Sequence, residues 1–221
     1  MDQFDRLPYL FVGWLMGLLA PAIVDRIRRN YRAAELMEAV VIELRELQYT
    51  MALVSFTVRK RLAWMPDEWL AWFEPTVRSY VGPEVSPAFL ESVAKLRKAS
   101  DEDRRLALAR NFDPMRGLGL KEYAIPFLAA HAGDISIFPM AFQSAVLRVK
   151  AHLDLFNQHV TFLQRHFDKT FDSSLSEQNR QAVMSNLDEG YREIATKAQE
   201  IAERISRLPK PKKAFGIFWR M

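Results

Sequence analysis

Three histidines stand at seven-residue intervals in the second half of the chain, at positions 152, 159 and 166. Histidine is both a metal ligand and a proton carrier near neutral pH. Seven residues of helix rise about 10.5 Å, whereas two ligands for one ion normally stand four residues apart on a helix. No two of His152, His159 and His166 can therefore bind one ion directly. We interpret them as residues at the edge of an apolar helix face and predict no metal site.

A glycine-containing stretch, Arg116-Gly117-Leu118-Gly119, is the other local pattern with possible chemistry. It lacks the lysine and serine or threonine of a phosphate-binding loop and follows no evident strand, so it predicts a turn. The chain has no cysteine, which excludes disulfides, thiolate metal sites and a cysteine nucleophile. No HExxH or GxSxG pattern occurs. We predict no catalytic residue and no cofactor, although an active site assembled across helices would leave no local sequence pattern.

The clearest signal in the sequence is an uncharged apolar stretch of 18 residues, 7–24. As a helix it would rise roughly 27 Å, close to the hydrocarbon thickness of a bilayer. This favours an N-terminal membrane anchor. Ala20-Pro21-Ala22 also resembles a signal-peptidase site, but the residues before the stretch are net acidic, unlike a signal peptide. A third interpretation is the core helix of a soluble adaptor, since 18 residues is short for a span.

The flanking charges predict an orientation for such an anchor. Arginines at positions 26, 28, 29 and 32 follow the apolar stretch, while Arg6 is accompanied by Asp2 and Asp5 on the other side. The positive-inside rule then places the body in the cytoplasm at the inner (cell) membrane, with the N-terminus outside. We expect Arg26, Arg28, Arg29 and Arg32 to contact lipid headgroups.

Two glycines one helical turn apart, Gly13 and Gly17, form a GxxxG step within the apolar stretch. Small residues at this spacing allow close approach of two helices in lipid. They predict a self-contact and a possible homo-oligomer. Glycine is common in apolar membrane segments, so the alternative is that these two glycines contact no second helix.

The net charge of +4 is located in the last part of the sequence, PKPKKAFGIFWRM. This basic tail, residues 209–221, has Lys210, Lys212, Lys213 and Arg220 and no acid. The remaining 31 − 4 = 27 basic residues balance 27 acidic ones, which disfavours specific nucleic-acid binding. The composition of the tail suits anionic lipid or a partner's groove. Assuming that successive long helices alternate in direction, it would begin far from the membrane, so we expect Lys210, Lys212, Lys213, Phe215, Phe218 and Trp219 to dock on a protein partner, or the tail to pack on its own body.

The body shows helical periodicity and no glycine or proline from residue 22 to 65. Apolar positions at three- and four-residue steps predict one long helix and then an antiparallel hairpin, with Ser174 or Ser176 capping its second helix. The first stripe runs from Ile27 through Tyr31, Ala34, Met37, Val41, Leu44, Met51 and Val54 to Val58. The second contains Val146, Val149, Leu153, Phe156, Val160, Leu163 and Phe167, and the third Met184, Leu187, Tyr191, Ile194, Ala198, Ile201, Ile205 and Leu208.

Residues 64–136 differ, because they are rich in proline and aromatic residues. Pro66, Ser86-Pro87 and Ser100 mark three short helices, and a fourth is expected over residues 121–130, perturbed by Pro126. The cluster WMPDEWLAWF is interpreted as core packing between the long helices and this subdomain, with a membrane or partner contact as the alternative.

Together these patterns predict an all-α protein: an anchor (1–24), a long juxtamembrane helix (25–63), a small aromatic-rich helical subdomain (64–136), a coiled-coil-like antiparallel hairpin (137–208) and the tail (209–221). The expected function is that of a membrane-anchored scaffold that tethers or assembles an unknown protein partner. The alternatives are a membrane-attached enzyme or effector with a site across helices, and a soluble helical adaptor whose residues 7–24 are core.

Overall fold

The computed structural model describes residues 7–80, 85–109, 118–171, 174 and 176–209, with side chains from residue 11 onward. These residues form an all-α fold, as the sequence predicts, and contain no strand. The helices are α1 (Leu7–Arg61), α2 (Asp67–Arg78), α3 (Pro87–Lys98), α4 (Asp101–Ala109), α5 (Pro126–Ala130), α6 (Met140–Lys169) and α7 (Glu177–Ser206), with a 3₁₀ helix at Ala132–Ile137.

Helix α1 is one continuous helix of 55 residues, consistent with the absence of glycine and proline after Pro21. It ends in a Schellman motif, in which Trp64 N donates to Arg59 O over 3.0 Å and Ala63 N donates to Lys60 O. Ala63 has a φ of 47°, the left-handed conformation that usually selects glycine. The side chain of Trp64 then lies back beside α1.

The main bundle consists of α1 from Met37 onward, α6 and α7, which pack around one aliphatic core. The three predicted apolar stripes supply most of that core, so the periodicity argument is confirmed. On α1, the buried part of the stripe begins later than the sequence predicts. Ile27 and Tyr31 belong to the predicted stripe but are about half exposed, and Met37 is the first buried residue. On α7, Ser176 is the N-cap, since its Oγ accepts from Asn179 N.

The helix directions differ from the sequence expectation. Ser55 Oγ donates to Ala195 O over 2.9 Å, and the Arg61 guanidinium lies 5.3 Å from the Tyr191 ring, so α1 and α7 are antiparallel. His159 pairs with Glu193, while Leu163 packs on Gly190, so α6 and α7 are antiparallel. Helices α1 and α6 are therefore parallel. The lower end of the bundle, where Met37, Met140 and Leu208 lie, is called the basal end below.

Residues 118–138, the return segment, explain this arrangement, because they lead the chain back down the bundle before α6 begins. Residues 121–125 are not helical, contrary to the expected helix over 121–130. Instead, Asn157 on α6 bonds both Tyr123 backbone groups, at 3.0 and 2.8 Å, and Gln164 donates to Leu120 O. Pro126 begins the five-residue α5, whose first amides donate to the Glu43 carboxylate at 2.7 and 2.9 Å.

Helices α2, α3 and α4 form a distal unit at the upper end of α1, with a second apolar core. Trp69 and Phe73 are 3% and 0% exposed in it, which confirms the core interpretation for these two aromatic residues. Arg104 of α4 is buried in the distal unit. Its guanidinium donates to the carbonyls of Leu96, Met65 and Ala99 and pairs with Asp67 and Asp101. One arginine of α4 thus links the start of α2, the end of α3 and the start of its own helix.

Candidate membrane interface

Helix α1 begins with a stretch that no other part of the described chain covers. Every residue from 11 to 24 is exposed, and we call this stretch the bare segment. Phe11, Trp14 and Met16 are 60%, 60% and 67% exposed, and the other large side chains of the segment point in most directions around the helix. A helix that is apolar all round requires an apolar environment, which is either a protein core or a lipid bilayer.

The bare segment belongs to neither core cluster of the described residues. Over residues 11–24, no contact therefore supports the alternative that residues 7–24 are the core helix of a soluble protein. Among the described residues, no helix is long and apolar enough to cross a membrane. The stretch predicted as a span includes residues 7–10, whose side chains are not described. The transmembrane prediction thus stays a proposal.

The Gly13–Gly17 face of the bare segment is open. A Cβ atom added at either glycine would meet nothing within 4 Å. The glycines therefore serve no packing purpose within the described monomer. The structure brings no partner to them, and the predicted self-contact remains a prediction.

The four arginines after the bare segment, the arginine collar, are all exposed. All four lie on a stem of about 20 Å between Val24 and the first buried residue, Met37. Arg32 pairs with Asp134 of the 3₁₀ helix at 3.3 Å. This ion pair, which sequence spacing gave no reason to expect, places the return segment at the level of the collar.

The predicted docking residues of the tail, Lys210 to Trp219, lie outside the described residues. The described chain does show where the tail begins. Leu208 packs against the main core at the basal end, because α7 descends alongside α1. The expectation that the tail begins far from the bare segment is therefore wrong, and its assumption of alternating long helices is the reason.

The histidine series does not converge on one site. His159 Nδ1 lies 3.1 Å from Glu193, the His166 ring is tilted against Phe162 with centroids 4.1 Å apart, and His152 is half-buried facing α7. Burial lowers the pKa of His152, and nearby Arg204 and Lys197 lower it further against the opposing effect of Glu200. Over the described residues, no group of three or more acidic or histidine side chains could hold a metal ion.

An open groove lies between α6 and α7. It is lined by His159, His166, Glu189, Glu193 and Phe162. Its floor is the close approach of Gly190 to Leu163. Beside it, α6 presents an apolar row to solvent: Leu147, Leu155 and Phe162 are 48%, 47% and 56% exposed. We call these three side chains, which lie about two helical turns apart, the α6 row.

Arg59 is a buried charge that the sequence analysis did not identify, since an arginine in the last turn of α1 resembles a solvated helix end. It is 4% exposed, and its guanidinium lies 4.1 Å from the Trp64 ring and 5.2 Å from the Trp69 ring. Nη2 donates to Gln199 Oε1, whereas Nε and Nη1 have no hydrogen-bond partner in the described chain. Burial lowers the pKa of Arg59 to about 10, so it remains cationic at neutral pH.

Comparison with known proteins adds no functional information: no family, no curated protein and no solved structure gives a significant match to this chain.

Proposed function

We propose that the protein is a membrane-anchored helical scaffold, in which residues 7–24 span the inner (cell) membrane and the bundle lies in the cytoplasm. The observation that carries this proposal is the bare segment. Burial of apolar surface is worth about 25 cal/mol per Å², so a fully exposed apolar helix of this length is strongly unfavourable in water. A bilayer of about 30 Å hydrocarbon thickness matches the roughly 27 Å rise of residues 7–24.

The collar supports the cytoplasmic placement of the body. Positively charged residues next to a span favour the cytoplasmic side, and the four arginines lie on the side of the bundle. Their side chains are exposed and long enough to reach the headgroup layer from the stem. The open Gly13–Gly17 face offers a place for a second copy of the span.

The anchor is tested by cell fractionation of the full chain and of a version starting at Asp25. We expect the full chain to stay in membranes after a carbonate wash, and the shortened chain to be soluble and folded, because no described core residue lies before Met37. A full chain that the wash releases would refute the anchor. So would a shortened chain that unfolds, since residues 7–24 would then be core.

The scaffold role rests on the α6 row, which the fold leaves uncovered. A photo-crosslinking residue in place of Phe162 should give a discrete adduct in cells if a partner covers this face of α6. The matched control carries the same residue in place of Lys98, an exposed position on α3. Equal labelling at both positions, or none at position 162, would contradict a partner on this face.

A further inference from the structure

We propose that the outer face of α6 binds a second copy of this chain in antiparallel orientation, so that the pair joins two facing membranes. This inference deepens the proposed function, because it names the partner of the α6 row. It also rests on that function, because the joining of membranes needs the bare segment to be in a bilayer.

The outer face of α6 is an uncharged stripe that lies opposite the buried stripe of the same helix. It extends the α6 row in steps of three and four residues, and we call it the outer stripe: Met140, Ser144, Leu147, Ala151, Leu155, Gln158 and Phe162. Such steps keep its members on one side of a straight helix for about 33 Å. Its ends, Met140 and Phe162, are 77% and 56% exposed.

The outer stripe is symmetric about Ala151, an exposed small residue at its centre. When two copies cross at this residue in opposite directions, each member meets the one equally far from Ala151: Met140 meets Phe162, Ser144 meets Gln158, and Leu147 meets Leu155. Apolar side chains then face apolar ones, and polar face polar. A surface that matches itself in this way is what a two-fold contact between identical chains requires.

Charges beside the outer stripe favour the antiparallel arrangement. Lys150 and Asp154 lie on one edge of it and form an ion pair of 2.7 Å, with their side chains about half exposed. In an antiparallel pair, Lys150 of one copy lies only about 3 Å along the axis from Asp154 of the other, so the two ion pairs meet with alternating signs. In a parallel pair, Lys150 would instead face the edge with Arg148, a like charge.

The direction of α6 sets where the two anchors would lie. Because α6 is parallel to α1, an antiparallel pair of α6 helices points the two bare segments in opposite directions. Continuing the registers of α6 on α7 and of α7 on α1 places Ala151 level with about residue 49 of α1. Val24 is then about 38 Å lower, so the two bare segments end about 75 Å apart. One bilayer, with about 30 Å of hydrocarbon, cannot hold both, and the pair therefore joins two.

The absence of native cysteine allows the pairing to be trapped as a disulfide in the full chain, in mild detergent, where no bilayer fixes the orientation. We expect A151C to form a disulfide dimer, and a mixture of L147C and L155C chains to form a mixed one. L147C alone should not, because its two copies would lie about 12 Å apart along the axis, too far for a disulfide. The control is K98C, at an exposed position of the distal unit.

The cysteine variants can contradict the proposal in two ways. If L147C alone forms as much dimer as the mixture, the two helices are parallel, and the joining of two membranes is excluded. If neither A151C nor the mixture forms more dimer than K98C, the outer stripe does not bind a second copy.

The joining of membranes is tested with the full chain in phosphatidylcholine vesicles. We expect the vesicles to cluster, as measured by dynamic light scattering, and Leu147→Glu to abolish the clustering because it places a charge within the outer stripe. The matched control is Leu106→Glu, which changes an equally exposed leucine of α4 and should leave the clustering unchanged. Equal loss in both variants would overturn the role of the outer stripe.

The outcomes separate this proposal from the proposed function. A chain that forms the antiparallel disulfides but is released from membranes by carbonate refutes the anchor and the joining of membranes together. A photo-adduct at position 162 with a different protein, without disulfide dimers, refutes the self-pairing and keeps the scaffold role. The absence of both the adduct and the dimers refutes the scaffold role and the self-pairing.

Discussion

The contact between Gly190 and Leu163 allows a prediction whose sign depends on one neighbour. A Cβ atom added at Gly190 would lie 2.2 Å from Leu163 Cδ2 and 3.1 Å from Cγ. Leu163 is only 3% exposed, so its side chain cannot swing into solvent. In Gly190→Ala, the helix-propensity gain of about 1 kcal/mol opposes an overpacking cost of about 1–3 kcal/mol. We expect a net loss of up to about 2 kcal/mol.

Shortening the neighbour should reverse that sign. Leu163→Ala alone creates a cavity and should cost about 2–5 kcal/mol. In that background, Gly190→Ala meets no collision and should stabilise the protein by about 1 kcal/mol. The free energies of unfolding can be measured by urea denaturation of the full chain in mild detergent, followed by circular dichroism. Gly133→Ala is the matched control, because its Cβ would meet nothing within 4 Å.

Two results would refute this reasoning. If Gly190→Ala stabilises the otherwise unchanged protein, α6 and α7 are farther apart than the structure places them. If the substitution has the same effect with leucine or alanine at position 163, the side chain of Leu163 is not what excludes a methyl group. Either result would also mean that the Gly190–Leu163 contact does not close the bottom of the groove next to His159.

Three further predictions follow from other described contacts. Arg104→Met leaves three carbonyl groups without their donor and should lower the free energy of unfolding by about 3–5 kcal/mol. Hydrogen exchange should show reduced protection of the amides in α2–α4 and not in α6. A uniform loss of protection would contradict a separate distal unit. Ala63→Gly removes the left-handed strain at the end of α1 and should raise stability by about 0.5–1 kcal/mol in thermal unfolding, and a loss would show that the turn is held otherwise. The pKa of His152 is lower in the folded chain than its ordinary value of 6.5. The contribution of neutral His152 to the free energy of unfolding is therefore complete above pH 6.5 and is lost as the pH falls through the folded pKa. His152→Gln should reduce the loss of stability between pH 6.5 and 5, and an unchanged dependence of stability on pH would contradict this.

The sequence patterns predicted those features of the fold that depend on local periodicity. The stripes of α6 and α7 and the caps at Ser86 and Ser176 all lie where hydrophobic spacing and helix-start chemistry place them. These signals work because each depends on residues within a few turns of one another.

The direction of α6 could not be predicted in the same way, because a helical apolar stripe has the same periodicity in either direction. The direction depends on the return segment, which is held by Asn157, Gln164 and Glu43. In the sequence these three resemble ordinary polar residues on exposed helix faces. The same holds for Arg59 and Arg104, whose burial depends on distant parts of the chain. The apolar character of the bare segment was readable from composition, whereas the position of Leu208 at the basal end was not.

The unbroken course of α1 has a mechanical consequence. From Val24 to Arg61 it is a rod of about 55 Å, with no proline or glycine after Pro21 to absorb bending. With residues 7–24 in a bilayer, a tilt of about 10° at Pro21 would swing the distal unit sideways by about 10 Å.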